Sequence, residues 1–526
     1  AGIYARLHYA KAWIDDWPID DPAAVGDQDL VGLVEQAIAL AERADDRRAQ
    51  AYGLGLLGKL RDRAGANDAA RRLTEQGLGL ASQVQAPEIA YRLWWQLGQL
   101  EARRGNRPSA IAAYNQAIDT LRSVRTDLAA ASADVQYSFR ETVEPIYREL
   151  AGLLLRPEAD RDELDQARKI IEGLQLAELD NFFRDACSTA RPVRIDEIDS
   201  RAAAIYTIIL DDRLEAIAAL PNGQLLRHTT RMPRAEILAA INDMRGSINK
   251  PVLTFLRQGY DWLIRPFEPA MATAGVKTLV FVLDGELRSV PPAALHDGKQ
   301  FAIEHYGIAI APGLQFLPSS RATRSSTQNP LLAAGISESR QGFAPLPNVP
   351  TELQEITQNL PGTVLLDPNF TEPNFLARLE NVPFPIVHIA THGQFSSNAD
   401  RTFLLTWDDR INSRDLDRLF RLPNRDRIPI DLLVLSACTT AKGDSRAALG
   451  LAGVSVRAGA RTTLATLWQV NDAATATLVS RFYQALLDGK LPKGEALRQA
   501  QRSLIADPKT RLPFYWAAFI LVGDWQ

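Results

Sequence analysis

Two residue types that act together in covalent catalysis follow apolar segments of this chain. The segment IVHIAT leads directly into His392, and the segment DLLVLSA leads directly into Cys438. Because the carboxyl ends of parallel strands meet at one edge of an open sheet, the two residues are predicted to face each other there. Residues 393–437 supply enough chain for a crossover between parallel strands. A thiol with a pKa of ~8.5 is only a few per cent thiolate at neutral pH, so a nearby imidazole would act as its base.

Each of these residues, taken alone, also has a structural interpretation. A single Cys after an apolar strand is commonly a small buried hydrophobe, and a single His there is commonly a hydrogen-bonded structural residue. The pair, with small residues beside Cys438 and with Gly393 after His392, favours a nucleophile and a base whose backbone N–H groups are open to an oxyanion. His388, inside the same segment, is expected to be a hydrogen-bonded core residue, and Cys187 is expected to be a passive thiol.

The elements that must position this pair begin with a helical region, residues 1–185, which is rich in Ala, Leu, Glu, Arg and Gln. Residues 93–118 resemble a tetratricopeptide repeat (TPR), and the same pattern recurs 40 residues earlier. The matching positions are Trp94, Leu97, Gly98, Gly105, Ala110, Tyr114 and Ala117, and Leu54, Leu57, Gly58, Gly65, Ala70 and Gly77. Small residues let paired helices approach closely, and stacked pairs bury the face that one pair exposes, which predicts a solenoid. Weaker pairs are expected around Leu30–Ala37 and around Tyr147–Leu174.

One glycine cluster in this region imitates a nucleotide-binding motif. Gly53, Gly55 and Gly58 have the spacing G-x-G-x-x-G, and residues 53–59 approach a phosphate-binding loop. A dinucleotide fingerprint follows a strand, and a phosphate loop needs Ser or Thr after its Lys. Neither condition is met, so these glycines are predicted to serve helix packing. A nucleotide-driven function is left without support.

Beyond the helical region the composition becomes that of an α/β protein. Residues 186–199 are predicted to be a linker, 200–317 a first α/β half, 318–329 a Ser/Pro-rich linker and 330–526 a second α/β half. In both halves short apolar runs alternate with helical stretches, which favours βαβ units and a mainly parallel sheet. The predicted fold class is α + α/β, a helical solenoid followed by an α/β region. The pattern leaves open whether the two halves share one sheet.

Composition and charge exclude several classes of protein. The chain has 526 residues, 46% apolar and 23% charged, which is typical of a globular protein with several domains. A net charge of −4 argues against a nucleic-acid partner, and no apolar run approaches the ~18–20 residues of a membrane span. Two cysteines form neither a disulfide framework nor a zinc site, which favours a reducing, cytoplasmic location. The start has no apolar signal core and no initiator Met, as expected at an internal boundary of a longer chain.

The motif HIATHGQF followed by LVLSACTTA resembles the CHAT domain, a caspase-like peptidase module that is associated with TPR repeats and related to separase. The similarity continues through VLDGELRSVPPAALHDG, LPNVPTELQEI, GLAGVSVRAGARTTLATLWQV and PFYWAAFILVGDW. The resemblance implies that Cys438 is the nucleophile, that His392 is the catalytic histidine, and that the N–H groups of Gly393 and Cys438 form the oxyanion hole. It also implies a caspase-like fold in which residues 200–317 are a pseudo-protease half beside the active half.

Asp472 follows the predicted strand LATLWQV and is expected at the same edge of the sheet as Cys438. In separase-like and legumain-like relatives an acidic residue of this loop lies at the base of the specificity pocket. The resemblance therefore implies a pocket for a Lys or Arg before the scissile bond. The other interpretation is helix capping, because Asn471 and Asp472 precede the helical segment AATATLVSRF. The sequence leaves both open.

The resemblance implies a cysteine endopeptidase that cleaves a protein substrate and needs no metal or cofactor. Its TPR helices would recognise the substrate or a protein regulator, and its activation would be regulated. Thr439 stands where family members often carry an acidic or amide residue, and Gln469 where many carry Pro, and neither change removes a catalytic group. The alternative is a non-catalytic adaptor in which the fold only carries an interface. The presence of both His392 and Cys438 argues against that alternative.

Overall fold

A computed structural model describes residues 2–16, 27–130, 139, 141–183, 193–317, 331–396, 401–412, 415, 430–440 and 460–526. The chain divides into two compact units, one within residues 1–158 and one within residues 159–183 and 187–526. The first unit is helical, and the second combines a large sheet with helices. Cys187, the predicted linker at 318–329 and residues 450–459, which begin the segment GLAGVSVRAGARTTLATLWQV, lie outside the described residues.

The first unit consists of successive helices. They are α1 (Gly2–Asp16), α2 (Asp27–Arg43), α3 (Arg47–Arg63), α4 (Asn67–Gln83), α5 (Pro87–Arg103), α6 (Arg107–Ala130) and α7 (Glu144–Leu154). Short turns join those from α2 to α6. The two predicted repeats correspond to α3 with α4 and α5 with α6, so the TPR-like arrangement is confirmed. Gly65 and Gly105 lie in the turns of these pairs with φ values of +75° and +76°, which glycine adopts without steric cost.

Close approach of neighbouring helices explains Gly58 and Gly98 inside the repeats. A Cβ atom added to Gly98 would lie 2.9 Å from the Tyr114 ring, and one added to Gly58 would lie 2.6 Å from Gln96 Nε2. The three glycines that imitate a nucleotide fingerprint are all buried within α3. The prediction that they serve helix packing is confirmed.

The helix α8 (Arg161–Phe183) lies in the second unit, although the sequence groups it with the helical region that ends at residue 185. It contacts the rest of this unit through buried polar groups. Gln175 Nε2 donates to the Leu283 carbonyl at 2.8 Å, and Arg288 forms a buried ion pair with Glu178. Periodicity predicts the helix itself, but these partners are distant in sequence, so the unit that α8 joins has no local signal.

Thirteen strands of the described residues form one sheet. They are β1 (Ala202–Ile209), β2 (Arg213–Ala219), β3 (Leu225–Arg231), β4 (Thr278–Val282), β5 (Gly307–Ile310), β6 (Leu331–Gly335), β7 (Gly362–Leu366), β8 (Ile386–Phe395), β9 (Phe403–Leu405), β10 (Arg410–Asn412), β11 (Leu432–Thr440), β12 (Thr462–Thr466) and β13 (Phe519–Gly523). The order is β10-β9-β8-β11-β12-β13-β5-β4-β1-β2-β3, with β6 between β7 and the first half of β8. The parallel pair of β5 and β13 joins the two halves into one sheet.

Most of the pairs that build the two halves are parallel, as predicted. β6, β8, β11 and β12 form one parallel group, and β1, β4 and β5 form another. The prediction missed the antiparallel meander of β1, β2 and β3. Charged residues interrupt the apolar pattern of β2 and β3, which hides them from a search for apolar runs. In the structure the buried Glu215 of β2 accepts hydrogen bonds from Arg213 and from Arg227 of β3. The predicted fold class is confirmed with this addition.

Besides α8, the described part of the second unit contains further helices. They are α9 (Ile195–Ile198), α10 (Arg234–Ser247), α11 (Thr254–Leu263), α12 (Glu268–Thr273), α13 (Ala302–His305), α14 (Val349–Asn359), α15 (Glu372–Asn381), α16 (Asp472–Leu487), α17 (Lys493–Ala506) and α18 (Pro513–Trp516). Alternate residues Val387 and Ile389 of β8 pack in one core cluster with Leu433 and Leu435 of β11. This packing fixes the register that carries the polar residues farther along both strands. None of the described helices is long and apolar enough to cross a bilayer.

Candidate active site

The strands that carry His392 and Cys438, β8 and β11, are hydrogen-bonded parallel neighbours. Both continue beyond their parallel neighbours on the outer sides: β6 ends opposite Ala390, and the pairing of β12 with β11 ends at Leu435. His392 and Cys438 therefore lie past the carboxyl ends of the flanking strands. The expectation that each residue ends its own strand is wrong, since β8 and β11 continue to pair beyond both.

The register between β8 and β11 shifts next to His392. Ser436 pairs with Ala390, whereas Cys438 pairs with Gly393, so β8 holds one more residue than β11 between these pairs. The resulting bulge includes His392, and bulges commonly re-aim a side chain beside a site. The backbone of Cys438 thus lies opposite the residue that follows His392. The thiol of Cys438 lies outside the described part of the structure.

Gly393, one of the two predicted oxyanion donors, lies between two strand partners. It pairs with Cys438 of β11 on one side and with Leu404 of β9 on the other. The two predicted donors are therefore direct neighbours across the ladder. The role of their N–H groups remains a prediction.

The imidazole of His392 is held by two consecutive residues of the loop between β6 and α14. Its Nε2 atom lies 2.7 Å from the Ala344 carbonyl oxygen, and the Phe343 ring stacks on it at a centroid distance of 5.0 Å and an angle of 27°. A carbonyl oxygen only accepts hydrogen bonds, so Nε2 carries the proton in this contact. In the neutral ring Nδ1 then holds the lone pair and is the nitrogen that can take a proton from a thiol. Only 6% of the residue is exposed.

Residues 336–348, which we call the histidine loop, fold back in a tight turn before they reach His392. The two central residues of the turn, Gln341 and Gly342, have φ values of +48° and +84°. Positive φ at both positions is the type I′ geometry of two-residue hairpins. Arg410 of β10 donates to the Gln341 side chain at 3.1 Å. The tip of the histidine loop is thereby anchored on the hairpin of β9 and β10.

Asp472 is the first residue of α16, and Asn471 caps this helix with its Oδ1 accepting from the Ala474 N–H at 3.2 Å. The capping that the sequence allows for either residue is therefore made by Asn471. The Asp472 carboxylate makes a different contact. Its Oδ2 atom accepts from the backbone N–H and from Nδ2 of Asn348, both at 2.7 Å. Since Asn348 ends the histidine loop, this one loop contacts both His392 and Asp472.

Phe343 and Ala344 carry no local signal in the sequence that marks them as functional, and Asn348 is marked only by its place in the segment LPNVPTELQEI. Ala344 meets a residue 48 positions away, and Asn348 meets a residue 124 positions away. The available signal is the composition of the loop, in which Pro345 and Pro347 restrict the backbone between a strand and a helix. That pattern indicates a stiff connection without naming its contacts.

His388, four residues before His392, is fully buried. Its Nε2 atom lies 2.9 Å from Glu352 Oε1 of α14, and its Nδ1 atom lies 3.4 Å from the Tyr483 hydroxyl of α16. This is the hydrogen-bonded core histidine that the sequence predicts. Burial, with the Glu352 charge as the second cause, raises the pKa of Tyr483 above its ordinary value. The cluster therefore links β8 to α14 and α16. The histidine loop ends where α14 begins, and Asp472 is the first residue of α16.

Comparisons with known proteins find relatives of both parts of the chain. A family model described as the CHAT domain matches residues 253–524. Tetratricopeptide repeat protein 28 of Homo sapiens is 23% identical over 400 residues, which cover 65% of this chain and 15% of that protein. The Mus musculus protein of the same name is 26% identical over 351 residues, 56% of this chain and 14% of that protein. This chain therefore spans less than a fifth of the length of these curated relatives.

Solved structures show only distant similarity. A putative kinesin light chain with TPR-like repeats from Podosopora anserina matches 35% of this chain and 84% of that chain, at 12% identity and a TM-score of 0.24. A Saccharomyces cerevisiae separase–securin complex matches 99% of this chain and 56% of that chain, at 10% identity and a TM-score of 0.39. Neither score bears on activity.

Proposed function

Because the chain belongs to the CHAT domain family, we propose that it is a cysteine endopeptidase that cleaves a protein substrate, with Cys438 as nucleophile and His392 as base. The pairing of Cys438 with Gly393 carries this proposal, since it sets the backbone of the nucleophile opposite the residue after the base. The position past the ends of the flanking strands suits a site that a polypeptide must reach. The Ala344 contact supports it further, because it leaves Nδ1 of the neutral imidazole as the proton acceptor.

The proposed reaction has two steps that balance in protons. Nδ1 of His392 takes the thiol proton, and the thiolate attacks the carbonyl carbon of the scissile bond. The oxyanion accepts hydrogen bonds from the N–H groups of Gly393 and Cys438, and His392 then gives its proton to the leaving amine. The C–N bond breaks and leaves a thioester on Cys438. Water, deprotonated by His392, attacks the thioester, which releases the carboxylate product and restores the thiol.

Asp472 enters the proposal as the acidic residue of the substrate pocket, which selects Lys or Arg before the scissile bond. Its Oδ2 atom is engaged by Asn348, and its Oδ1 atom has no hydrogen-bond partner among the described residues. This oxygen can therefore accept a hydrogen bond from the N–H groups of a substrate Lys or Arg. A charge-assisted hydrogen bond there is worth about 1.5–3 kcal/mol, or about one to two decades in kcat/KM.

The helical unit enters the proposal as the part that binds the protein substrate or a protein regulator. Stacked repeats present extended surfaces that suit such partners. Trp94 and Leu97 line a depression of about 450 Å³ together with Arg71 and Arg104, so apolar and charged groups are both available. The proposal places the protein in the cytoplasm. It also includes regulated activation, because an unrestrained peptidase would damage the proteins around it.

A positional peptide library tests the proposed activity. The full chain is incubated with the library, and the products are identified by mass spectrometry. Cys438→Ala serves as the blank, and Cys187→Ala is the matched control for loss of a thiol. The proposal expects cleavage by the wild-type and Cys187→Ala proteins and none by Cys438→Ala. Cleavage that survives in Cys438→Ala would contradict it, and a wild-type protein that cleaves nothing would favour the non-catalytic adaptor.

A further inference from the structure

A short segment of the histidine loop connects Asp472 with His392. This segment, residues 344–348 with the sequence Ala-Pro-Leu-Pro-Asn, is called the proline strap below. Its first residue accepts the hydrogen bond of the His392 ring at 2.7 Å. Its last residue donates two hydrogen bonds to the Asp472 carboxylate, each of 2.7 Å. The candidate base and the candidate specificity residue are therefore linked through five residues.

The proline strap is stiff because of its composition. Each proline ring fixes its own φ angle, and it also restricts the residue before it to extended conformations. Pro345 and Pro347 together thus limit every strap residue before Asn348. Leu346 adds a fixed point in the middle, because it is buried and its N–H donates to the Ser337 carbonyl at 2.9 Å. A displacement of Asn348 is therefore passed on to Ala344 rather than absorbed between them.

The side chain of Asn348 favours the contact with Asp472 over a local alternative. Asn348 is the N-cap residue of α14, a position where Asn ordinarily accepts a hydrogen bond from the first turn of its own helix. Here it makes no such cap hydrogen bond. Its amide donates to Asp472 instead, beside a second bond from its own backbone N–H. Both donors of one residue converge on a single carboxylate oxygen.

We propose that Asn348 and Asp472 are positioning residues for the His392 imidazole and act on it through the proline strap. The meaning of this role for catalysis rests on the proposed peptidase function. Their contact anchors the strap, and the strap keeps the Ala344 carbonyl where it selects the Nε2–H tautomer. A substrate cation that binds Oδ1 of Asp472 would contact the same carboxylate that anchors the strap. Recognition of a basic residue and placement of the base are thereby coupled.

Histidine side-chain NMR of the full chain, labelled with ¹⁵N only at its six histidines, tests this proposal without any substrate. Long-range ¹H–¹⁵N correlations, recorded where the ring is neutral, distinguish one tautomer from a mixture, because the two nitrogen shifts converge in a mixture. His392→Gln identifies the signals of His392. The wild-type protein is expected to show the Nε2–H tautomer alone.

Asn348→Ala and Asp472→Ala are each expected to move the two nitrogen shifts of His392 toward each other. The double variant is expected to change the shifts no more than Asp472→Ala alone, because Asp472→Ala removes both hydrogen bonds to the strap, whereas Asn348→Ala leaves the one from the backbone N–H. Asn348→Ser keeps a residue that caps α14 but lacks the amide, so it gives the same result if Asn348→Ala folds poorly. Asn381→Ala is the matched control, because this exposed Asn donates only within its own helix α15.

Wild-type nitrogen shifts in Asn348→Ala and Asn348→Ser would overturn the proposal, and so would additive effects in the double variant. Its failure is distinguishable from failure of the proposed function. A wild-type protein that cleaves no peptide removes the peptidase proposal, whereas unchanged shifts in the variants remove the strap. The peptide-cleavage assay and the NMR measurement are independent experiments, so either proposal can fail while the other stands.

Discussion

Nε2 of His392 lies 2.7 Å from the carbonyl oxygen of Ala344, so a main-chain atom orients the candidate base. When Nδ1 takes a proton the ring becomes cationic, and the bond from Nε2 becomes charge-assisted, which makes it about twice as strong as a neutral one. The carbonyl thus orients the ring and stabilises its cation, as the carboxylate does in a Ser-His-Asp triad. Because it is a backbone atom, a substitution can displace it but cannot delete it.

Phe343 covers the same ring, and its aromatic character is expected to matter. Phe343→Leu keeps apolar bulk but removes the stacked contact with His392, which is worth about 0.5–1.5 kcal/mol, or about twofold to tenfold in rate. Steady-state kinetics with a cleaved peptide should show a lower kcat with little change in KM. Phe343→Tyr keeps the ring and should retain the wild-type kcat. A Leu variant as active as the wild type would show that stacking does not contribute.

Asp472→Asn separates charge recognition from anchoring of the histidine loop. The Asn side-chain oxygen can still accept from Asn348, so the melting temperature should change little, whereas the carboxylate charge is lost. Peptides with Lys or Arg before the scissile bond should lose at least about tenfold in kcat/KM. Asp488→Asn, at the other end of α16, is the matched control and should keep full selectivity. Unchanged selectivity in Asp472→Asn would exclude the pocket role.

The buried Glu352–His388 pair is expected to be a stabilising contact of the second unit. Glu352→Ala leaves His388 Nε2 without its partner at 2.9 Å and should lower the free energy of unfolding by about 1.5–3 kcal/mol. Glu355→Ala, on the exposed side of the same helix, should stay within about 0.5 kcal/mol of the wild type. Urea unfolding followed by Trp fluorescence measures both. Equal effects of the two substitutions would contradict the assigned role of Glu352.

Two glycines of the helical unit should respond to Ala in opposite directions. Gly98→Ala places a methyl group 2.9 Å from the Tyr114 ring, and this overpacking should destabilise the unit by about 1–3 kcal/mol. Gly79→Ala meets no atom within 4 Å and lies inside α4, so it should stabilise the helix by about 0.5–1 kcal/mol. Thermal unfolding of the full chain compares the two. A destabilised Gly79→Ala protein, or a stabilised Gly98→Ala protein, would refute the close-approach explanation.

The sequence predicted those features that depend on local pattern. The repeat spacing identified α3 to α6, because helix packing places small residues at fixed offsets. The apolar runs before His392 and Cys438 identified β8 and β11 and their parallel pairing. The bulge that shifts the register at His392 was not predicted. The alternation of apolar and polar residues along a strand does not show where one strand holds an extra residue.

The rest of the site depends on contacts between distant parts of the chain. Asn348 and Asp472 are 124 positions apart, and only the packing of α14 beside α16 brings them together. Which residue caps α16 also depends on the folded structure. Asn471 caps the helix, whereas Asp472 accepts a hydrogen bond from the side chain of Asn348. The membership of α8 in the second unit follows from buried polar pairs such as Arg288 with Glu178. Composition records that these residues are polar but not which partner each one meets.

The rate at which iodoacetamide alkylates Cys438, measured by mass spectrometry against pH, tests the Cys438–His392 pair most directly. Cys187 in the same molecule is the internal reference, and unchanged melting temperature confirms that the protein stays folded. We predict that Cys438 reacts faster than Cys187 at neutral pH, and that His392→Ala removes this difference without changing the rate of Cys187. Equal rates in the wild-type protein, or a fast Cys438 that persists in His392→Ala, would contradict the assignment.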